Sequence, residues 1–485
     1  AVEGWLLRGY ICRAFGQNEA LHYVAAERAA LCDSGAAEAL VPTTQELMQM
    51  GGVLHCEQLR SEHRLRKAPW VLRMIERQLL RSEHGERTFE RLLAHMVLFP
   101  PLPHPERVDC TELVLRRCQK ACGVDLNAFA QHWIYEARPC PTIGANFAYS
   151  KRRFLAELVV ITPALTSADA QLTSSLCVGW GEADSSEDAL PQHKYFNVTE
   201  RPQLLEIEVD ARRRRRKRRT RGDEGDELTR EEEERVVVGA NVPLLWLRVD
   251  PHLEWAMRVR WTGKPDEPRW SGQPEFMCKE QLWHDRDVAS QEEAARALST
   301  FSTHSAIDAL LWTVYDTQAY FRVRTAAIQS LGDLVQPATD YAALSKLIRY
   351  FREKYCDEFQ IRPNDFSDFP RYHVLKALVE AIGCARDASG ATPAEAFSLL
   401  IELLDDNDNT ANEYDDGYYL GAIIRVLAGT RCKSKGETNL IVAQIQRHLR
   451  LDALNKSHQR ALTRCCLQAL TQLELSGRRA PDWQL

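Results

Sequence analysis

The residue types that most often do chemistry in proteins occur in this sequence without the spacing of a known catalytic or metal site. The chain of 485 residues contains no H-E-x-x-H, G-x-S-x-G, P-loop or G-x-G-x-x-G motif. Its fourteen cysteines include no C-x-x-C pair, which excludes the common zinc-finger spacing. Scattered thiols are typical of a reducing compartment. The sequence therefore predicts no metal ion and no other cofactor.

One tract could neutralise phosphate groups. Nine of the ten residues at 212–221 are basic, and eight acidic residues follow at 223–234. Arginines and lysines without interleaved aromatic residues suit contact with a phosphate backbone more than reading of bases. A nuclear-localisation signal and a solvated, self-neutralising loop are the commoner uses of such a tract, and both stay open. The candidate residues for DNA binding or nuclear localisation are Arg212, Arg213, Arg214, Arg215, Arg216, Lys217, Arg218 and Arg219.

The overall charge limits how nucleic acid could be bound. The formal net charge is −6, so the chain is not a uniformly basic protein and any DNA contact requires a local patch. A second basic patch, whose alternative is an ordinary solvated helix face, consists of Arg60, Arg64, Arg66, Lys67, Arg73 and Arg77. No run of about 18 apolar residues is present, which predicts no membrane-spanning helix.

Residues 5–11, with the sequence W-L-L-R-G-Y-I, resemble the W-L-x-E-G-[FY]-A segment of the gluzincin aminopeptidases. The resemblance implies that the Glu of this motif is the third zinc ligand of those enzymes. Arg8 stands at that position here. A guanidinium is always charged and has no lone pair to offer a metal, so Arg8 argues against a zinc site.

Residues 65–75 resemble a second segment of the same enzymes, Y-x-K-G-x-x-V-L-R-M-L. The resemblance implies that its Tyr donates a hydrogen bond to the oxyanion of the transition state. Leu65 occupies that position and has no donor. Both positions predict a degenerate aminopeptidase homologue and not an enzyme. An active zinc aminopeptidase is kept as an alternative function.

The elements that must position these residues change in character along the chain. Apolar residues recur at helical spacing through residues 1–142. Short β-rich runs, at 155–161, 204–209, 236–238, 245–249 and 257–261, then predict an Ig-like β-sandwich over 143–275. The charged stretch at 210–235 falls between two of these runs, and we expect it to be a disordered insert at the tip of a hairpin.

Residues 276–485 are expected to be helical throughout. Amphipathic segments joined by short turns form units of about 35–50 residues, the period of a HEAT/ARM-like α-solenoid. An irregular helical bundle is the alternative. The predicted helices lie at 287–299, 304–315, 319–335, 340–356, 368–386, 393–405, 416–429, 436–450 and 454–474.

The order of these parts resembles one family of TBP-associated factors, the TFIID subunit 2 family. In that family a catalytically dead, gluzincin-like domain precedes a β module and a helical array. The segments that carry the resemblance are residues 129–134, 146–153, 243–255, 273–288, 362–369 and 407–409. By this resemblance residues 1–142 are the helical C-terminal half of an aminopeptidase-like domain, and the chain is part of a longer protein.

The resemblance implies a non-catalytic scaffold in the nucleus that supports core-promoter (initiator) DNA binding and assembly of the pre-initiation complex for RNA polymerase II. The implied partners are other TBP-associated factors of TFIID and core-promoter DNA, with chromatin as a further candidate. No membrane and no small-molecule substrate are expected. A HEAT-type interaction scaffold outside transcription remains an alternative, because fold alone does not select a partner.

Overall fold

The structure of the protein is a computed structural model. It describes residues 2–42, 61–81, 88–98, 110–123, 125–150, 155–161, 175–182, 191–198, 203–209, 244–261, 272–335, 339–357 and 360–478. The chain divides into two compact units, Ala1–Met277 and Cys278–Leu485. None of the helices within the described ranges is long and apolar enough to cross a membrane.

The first unit begins with helices. They are α1 (Val2–Phe15), α2 (Gln17–Asp33), α3 (Glu62–Leu80), α4 (Thr88–Leu98), α5 (Cys110–Cys122) and α6 (Asn127–Ala130), and a π-helical turn (Gln131–Tyr135) follows α6.

Helix α3 is the central helix of this part. Ser61 caps it, because its hydroxyl accepts a hydrogen bond from the Arg64 backbone N–H at 3.1 Å. Its apolar residues from Trp70 to Leu79, including Met74, are buried. Gly4 of α1 lies against Pro69 of α3, where an added Cβ would come within 2.5 Å of the Pro69 Cγ. The missing side chain therefore lets α1 and α3 approach closely, which positions the cleft described below.

Seven strands follow in the first unit. They are β1 (Thr142–Ser150), β2 (Leu155–Ile161), β3 (Leu176–Glu182), β4 (Gln192–Phe196), β5 (Gln203–Glu208), β6 (Leu244–Val249) and β7 (Arg258–Trp261). One sheet has the order β5-β2-β1-β7 and the other β4-β3-β6. All neighbours are antiparallel except β1 and β7. Residues along β2 alternate between buried and half-buried, as expected for a strand with one face in a core.

The charged insert at 210–235 was predicted to lie at the tip of a hairpin between the β-rich runs at 204–209 and 236–238. The first of these runs contains β5, which pairs with β2 in the first sheet. The next described strand, β6, pairs with β3 in the second sheet. Residues 210–243, which include the predicted run at 236–238, lie outside the described ranges, so the hairpin stays a prediction.

The second unit is helical. Helix α7 (Glu275–His284) spans the boundary between the units. The helices after it are α8 (Val288–Leu298), α9 (His304–Tyr315), α10 (Phe321–Asp333), α11 (Ala342–Tyr355), α12 (Phe369–Cys384), α13 (Ala394–Asp405), α14 (Gly417–Gly429), α15 (Lys435–Leu454) and α16 (Ala461–Leu475). Each helical segment predicted after residue 286 overlaps a helix of the structure. Two short strands, β8 (Cys356–Asp357) and β9 (Gln360–Ile361), follow α11.

The helices after α7 form two layers. Helices α8, α10, α12, α14 and α16 pack one against the next, and the helices between them pack on this row. One buried apolar cluster runs from Cys278 to Leu473. Close packing within the row depends on small residues, since a Cβ on Gly383 of α12 would lie 1.9 Å from Cγ1 of Val426 of α14. The arrangement is a stacked helical repeat.

Candidate functional site

A cleft of about 300 Å³ lies among α1, α2 and α3 in the first unit. It brings together Arg8 and Leu65, the two positions where the sequence departs from the aminopeptidase motifs. The residues that line it are Gly4, Trp5, Arg8, Tyr23, Glu27, Glu62, Leu65, Arg66, Pro69, Trp70 and Arg73.

Arg8 is fixed by a carboxylate of helix α3. Its Nη2 donates to Glu76 Oε1 at 3.0 Å and to Oε2 at 2.9 Å, and the indole Nε1 of Trp5 donates to Oε2 at 3.1 Å. Glu76 is 9% exposed. The guanidinium therefore neutralises a buried anion and stacks near the Trp5 ring, with 6.0 Å between Cζ and the ring centroid.

Leu65 lies on α3 at the rim of the cleft and is 58% exposed. An aliphatic side chain at this place provides apolar surface but no hydrogen-bond donor. A developing oxyanion in the cleft would receive no stabilisation from this position.

Arg73, one helical turn before Arg77 on α3, is 6% exposed and links the helices to the β module. Its Nε donates to the carbonyl of Leu253 at 2.9 Å, and its Nη2 donates to the carbonyl of His252 at 3.0 Å. Its guanidinium lies 5.7 Å from the Trp70 ring centroid. Burial, together with the nearby Arg8 and Arg77 charges, lowers the pKa of Arg73 to about 9.

The loop that receives Arg73 has an unusual backbone. Asp250 and Leu253 adopt left-handed conformations, with φ of 57° and 51°. The buried Asp250 carboxylate holds the loop by accepting the backbone N–H groups of Glu254 at 2.8 Å and Trp255 at 3.1 Å. It also meets Arg28 of α2 at 3.5 Å. The turn therefore presents the carbonyls that Arg73 contacts.

Two of the six residues in the second predicted basic patch are buried, and a third, Arg60, lies outside the described residues. Lys67 and Arg73 are 2% and 6% exposed, and Lys67 donates to the backbone carbonyl of Glu38 at 2.9 Å. Burial lowers the pKa of Lys67. The expectation of an exposed patch is wrong for Lys67 and Arg73, because the sequence does not show which basic residues of α3 face the protein interior.

The structure does not describe residues 212–219, so the basic tract stays a prediction. Within the described ranges, no group of three or more His, Cys, Asp or Glu side chains could hold a metal ion.

Sequence reasoning missed Glu76, the partner of Arg8, and two aromatic residues that line the cleft, Tyr23 and Trp70. The segment 65–75 stops one residue before Glu76, and no motif joins residues 8 and 76. A local signal did exist, because an acidic residue within the apolar run of α3 requires a partner when it is buried.

Two family models match the chain in succession. The first, described as "TAF2 Ig-like domain", matches residues 138–264, and the second, described as "TAF2-like, TPR repeats", matches residues 275–482. Together they cover more than half of the chain. TPR and HEAT arrays are both stacked helix pairs, and the helical-repeat expectation agrees with the second model.

Several curated proteins named "Transcription initiation factor TFIID subunit 2" are similar to the chain. The one from Danio rerio is 24% identical over 517 residues, which cover 98% of this chain and 41% of that protein. The one from Gallus gallus is 26% identical over 435 residues (85% and 35%). The one from Schizosaccharomyces pombe is 31% identical over 266 residues (50% and 21%). The chain thus spans less than half the length of these relatives.

A solved structure shares the fold. It is the crystal structure of Legionella pneumophila aminopeptidase A in complex with aspartic acid, with a TM-score of 0.59 and 9% identity, covering 99% of this chain and 51% of that one. The fold class expected from the sequence is confirmed: a mainly helical chain with an aminopeptidase-like architecture, an Ig-like β module and a C-terminal helical repeat.

Proposed function

Because the chain belongs to the TFIID subunit 2 family, we propose that it is a non-catalytic scaffold subunit of TFIID that supports core-promoter binding at the initiator and assembly of the pre-initiation complex for RNA polymerase II. One observation carries the proposal: the Ig-like and repeat models of this family match adjoining segments, residues 138–264 and 275–482, in one chain. The relatives named as TFIID subunits extend the similarity to 98% of the chain.

The cleft supports the non-catalytic part of the proposal. Arg8, where the aminopeptidase motif has a zinc-ligand Glu, places a permanent cation beside Glu76 at 2.9 Å. A divalent ion there would lose an anionic ligand and would be repelled by the guanidinium. Leu65 supplies no donor in place of the catalytic Tyr. The proposal treats both positions as the degenerate site of a former hydrolase.

A direct assay tests this part. The purified chain should contain far less than one zinc ion per molecule by elemental analysis. It should show no chelator-sensitive hydrolysis of aminoacyl-coumarin substrates. Stoichiometric zinc with chelator-sensitive turnover would show that the cleft is an active site and would overturn the non-catalytic proposal.

The scaffold part of the proposal concerns the domains of the chain and the proteins that bind to them. The proposal divides the chain into a helical aminopeptidase-like part at 1–142, a β-sandwich at 143–275 and a helical-repeat domain at 276–485. Stacked helical repeats expose long surfaces to which other proteins bind. The proposed partners are other TBP-associated factors of TFIID, and the proposed compartment is the nucleus.

Affinity purification of the tagged chain from nuclear extract tests these partners. Recovery of other TBP-associated factors supports the proposal, and their consistent absence contradicts it. Gly383→Ala, which should disturb the packing of α12 on α14, is expected to reduce recovery. Gly429→Ala is the matched control, since a Cβ there has only Gln472 at 3.9 Å.

The proposed DNA contact rests on residues 212–219. Eight side-chain cations can displace counterions from a duplex, so affinity should fall steeply with salt. Changing all eight to Ser should weaken binding to a core-promoter duplex and flatten the dependence of log K on log salt. A variant with Lys at all eight positions keeps the charge and should keep the slope. Unchanged affinity and slope in the Ser variant would exclude the tract from DNA binding.

A further inference from the structure

We propose that the cleft among α1, α2 and α3 binds a carboxylate group, as carried by the Asp or Glu side chain of a short acidic peptide segment. The carboxylate would lie on the wall formed by Arg8 and Arg73. This inference goes beyond the proposed role in TFIID and does not depend on it.

Positive charge exceeds negative charge at this wall. Arg8, Arg73 and Arg77 lie near one another. Two carboxylates act on Arg73: Glu76, which Arg8 contacts, and Asp250, which meets Arg28. Arg73 is 6% exposed, and both of its hydrogen bonds go to neutral carbonyl oxygens. Within the described ranges no acceptor contacts the Arg73 Nη1 or the Arg8 Nη1. A buried guanidinium without a carboxylate partner favours an incoming anion.

The other charged residues of the cleft define where the anion would go. Glu62 is neutralised by Arg66, whose Nη2 donates to Glu62 Oε1 at 2.9 Å. Glu27 lies on the opposite wall, on α2, one turn after Tyr23. Its charge disfavours an anion on that side. The geometry thus directs a carboxylate toward α1 and α3 and away from α2.

The remaining walls are suited to a peptide. Trp5 and Trp70 each lie near a guanidinium, with 6.0 Å and 5.7 Å between Cζ and the ring centroid. Their rings limit the positions that Arg8 and Arg73 can adopt. Leu65 and Pro69 add apolar surface at the rim. A volume of about 300 Å³ is at the small end of ligand pockets, so it fits one or two side chains of an extended segment and not a folded partner.

Binding is tested with the full chain and defined probes. The probes are a fluorescent, end-capped peptide with the central residues Ala-Asp-Glu-Ala, its Ala-Asn-Gln-Ala counterpart, and free succinate as competitor. The acidic peptide should bind at least about tenfold more tightly than the amide peptide, because only the carboxylate brings a negative charge and a charge-assisted hydrogen bond to Arg8 and Arg73. Its affinity should fall with added salt. A site for free dicarboxylates would instead show succinate displacing the peptide at similar concentrations.

Four variants locate the site. Glu27→Gln should tighten binding of the acidic peptide by about two- to fivefold, because it removes a repulsive charge. Leu65→Glu should weaken it by about three- to tenfold. Leu80→Glu is the matched control, an exposed Leu on α3 outside the cleft lining, and should leave affinity unchanged. Arg8→Gln should weaken binding most.

Circular dichroism and the melting temperature of each variant separate loss of binding from loss of folding. Glu27→Gln matters most here, because a gain in affinity does not arise from unfolding. The proposal is overturned by equal affinity for the acidic and amide peptides, by no binding of peptide or succinate at millimolar concentration, or by equal effects of Leu65→Glu and Leu80→Glu. None of these outcomes requires zinc or turnover, so they do not bear on the assay of catalysis.

Discussion

The two units bury their polar groups in different ways. In the first, buried charges join elements far apart in the chain: Arg8 meets Glu76, and Arg73 reaches the carbonyl of Leu253, 180 residues away. In the second, buried acids have local partners. Asp285 accepts from the Ser290 hydroxyl at 2.5 Å, and Glu292 pairs with the Arg296 guanidinium at 2.7 Å.

The second unit buries an apolar cluster that runs from Cys278 to Leu473. Its long-range ion pair Arg352–Glu402 is partly exposed, with side chains 37% and 28% exposed. Within the described ranges the buried lysine and arginines, Lys67, Arg73 and Arg248, all belong to the first unit. We infer that charge specifies how helices and sheets meet in the first unit, whereas side-chain shape specifies how helices stack in the second. Each prediction below tests one side of this contrast.

The largest effect is expected at Asp250. Asp250→Ala removes the acceptor for two backbone N–H groups and the partner of Arg28, which should destabilise the first unit by about 3–5 kcal/mol. Urea unfolding measures this change. Asp308→Ala is the control, since Asp308 pairs with Lys346 on the surface and should cost less than about 1 kcal/mol. Equal losses of unfolding free energy in the two variants would contradict a special role of buried charge in the first unit.

The stability of the first unit should depend on pH through His132. Burial, and then repulsion by Arg138, lowers the pKa of His132 to about 4 from 6.5. In the unfolded chain His132 is therefore protonated as the pH falls through 6.5, whereas in the folded chain it is protonated only near pH 4. The free energy of unfolding is therefore unaffected by His132 above this pH window. It should decrease by about 2–3 kcal/mol as the pH falls through the window.

His132→Leu removes that titration and should flatten the profile. Urea unfolding at pH 7.5 and pH 5, followed by hydrogen exchange in peptides from residues 125–135, provides the measurement. The same slope in the variant and the original chain would assign the pH dependence to other groups.

In the second unit the largest effect should come from shape. Gly383→Ala places a Cβ 1.9 Å from Cγ1 of Val426, and relief of this overlap should cost about 1–3 kcal/mol. Gly429→Ala, with only Gln472 at 3.9 Å, should change the free energy of unfolding by about 0.5 kcal/mol or less. Calorimetric melting of the two variants measures the difference. A harmless Gly383→Ala would show that the helices are not packed as tightly as inferred.

The smallest effect is expected at the clearest ion pair of the second unit. Arg352 holds Glu402 with Nη1 to Oε1 at 2.6 Å and Nη2 to Oε2 at 2.5 Å, and their side chains are 37% and 28% exposed. Arg352→Gln should cost at most about 1 kcal/mol, and less in 1 M salt. A loss of stability as large as that from Asp250→Ala would mean that charge specifies how elements pack in both units.

The sequence predicted the second unit better than the first. The helical spacing of apolar residues located each helix from α8 to α16, because that spacing is a local property of the chain. The same reasoning counted Lys67 and Arg73 in a basic surface patch, since long basic side chains on a helix are usually exposed. The order of the β-rich runs also gave no sign that β5 and β6 belong to different sheets, because the order of strands along a chain does not specify their pairing partners.

The amino-acid sequence alone determined which residue types stand at positions 8 and 65, and it located the helices whose apolar periodicity marks them. Only the tertiary structure decided that Arg8 pairs with Glu76, that both motif positions line one cleft, and that Asp250 turns the chain toward Arg73. The physical reason is range: helix formation depends on residues three or four apart, whereas a buried charge is stabilised by whichever distant group the fold brings within about 3 Å.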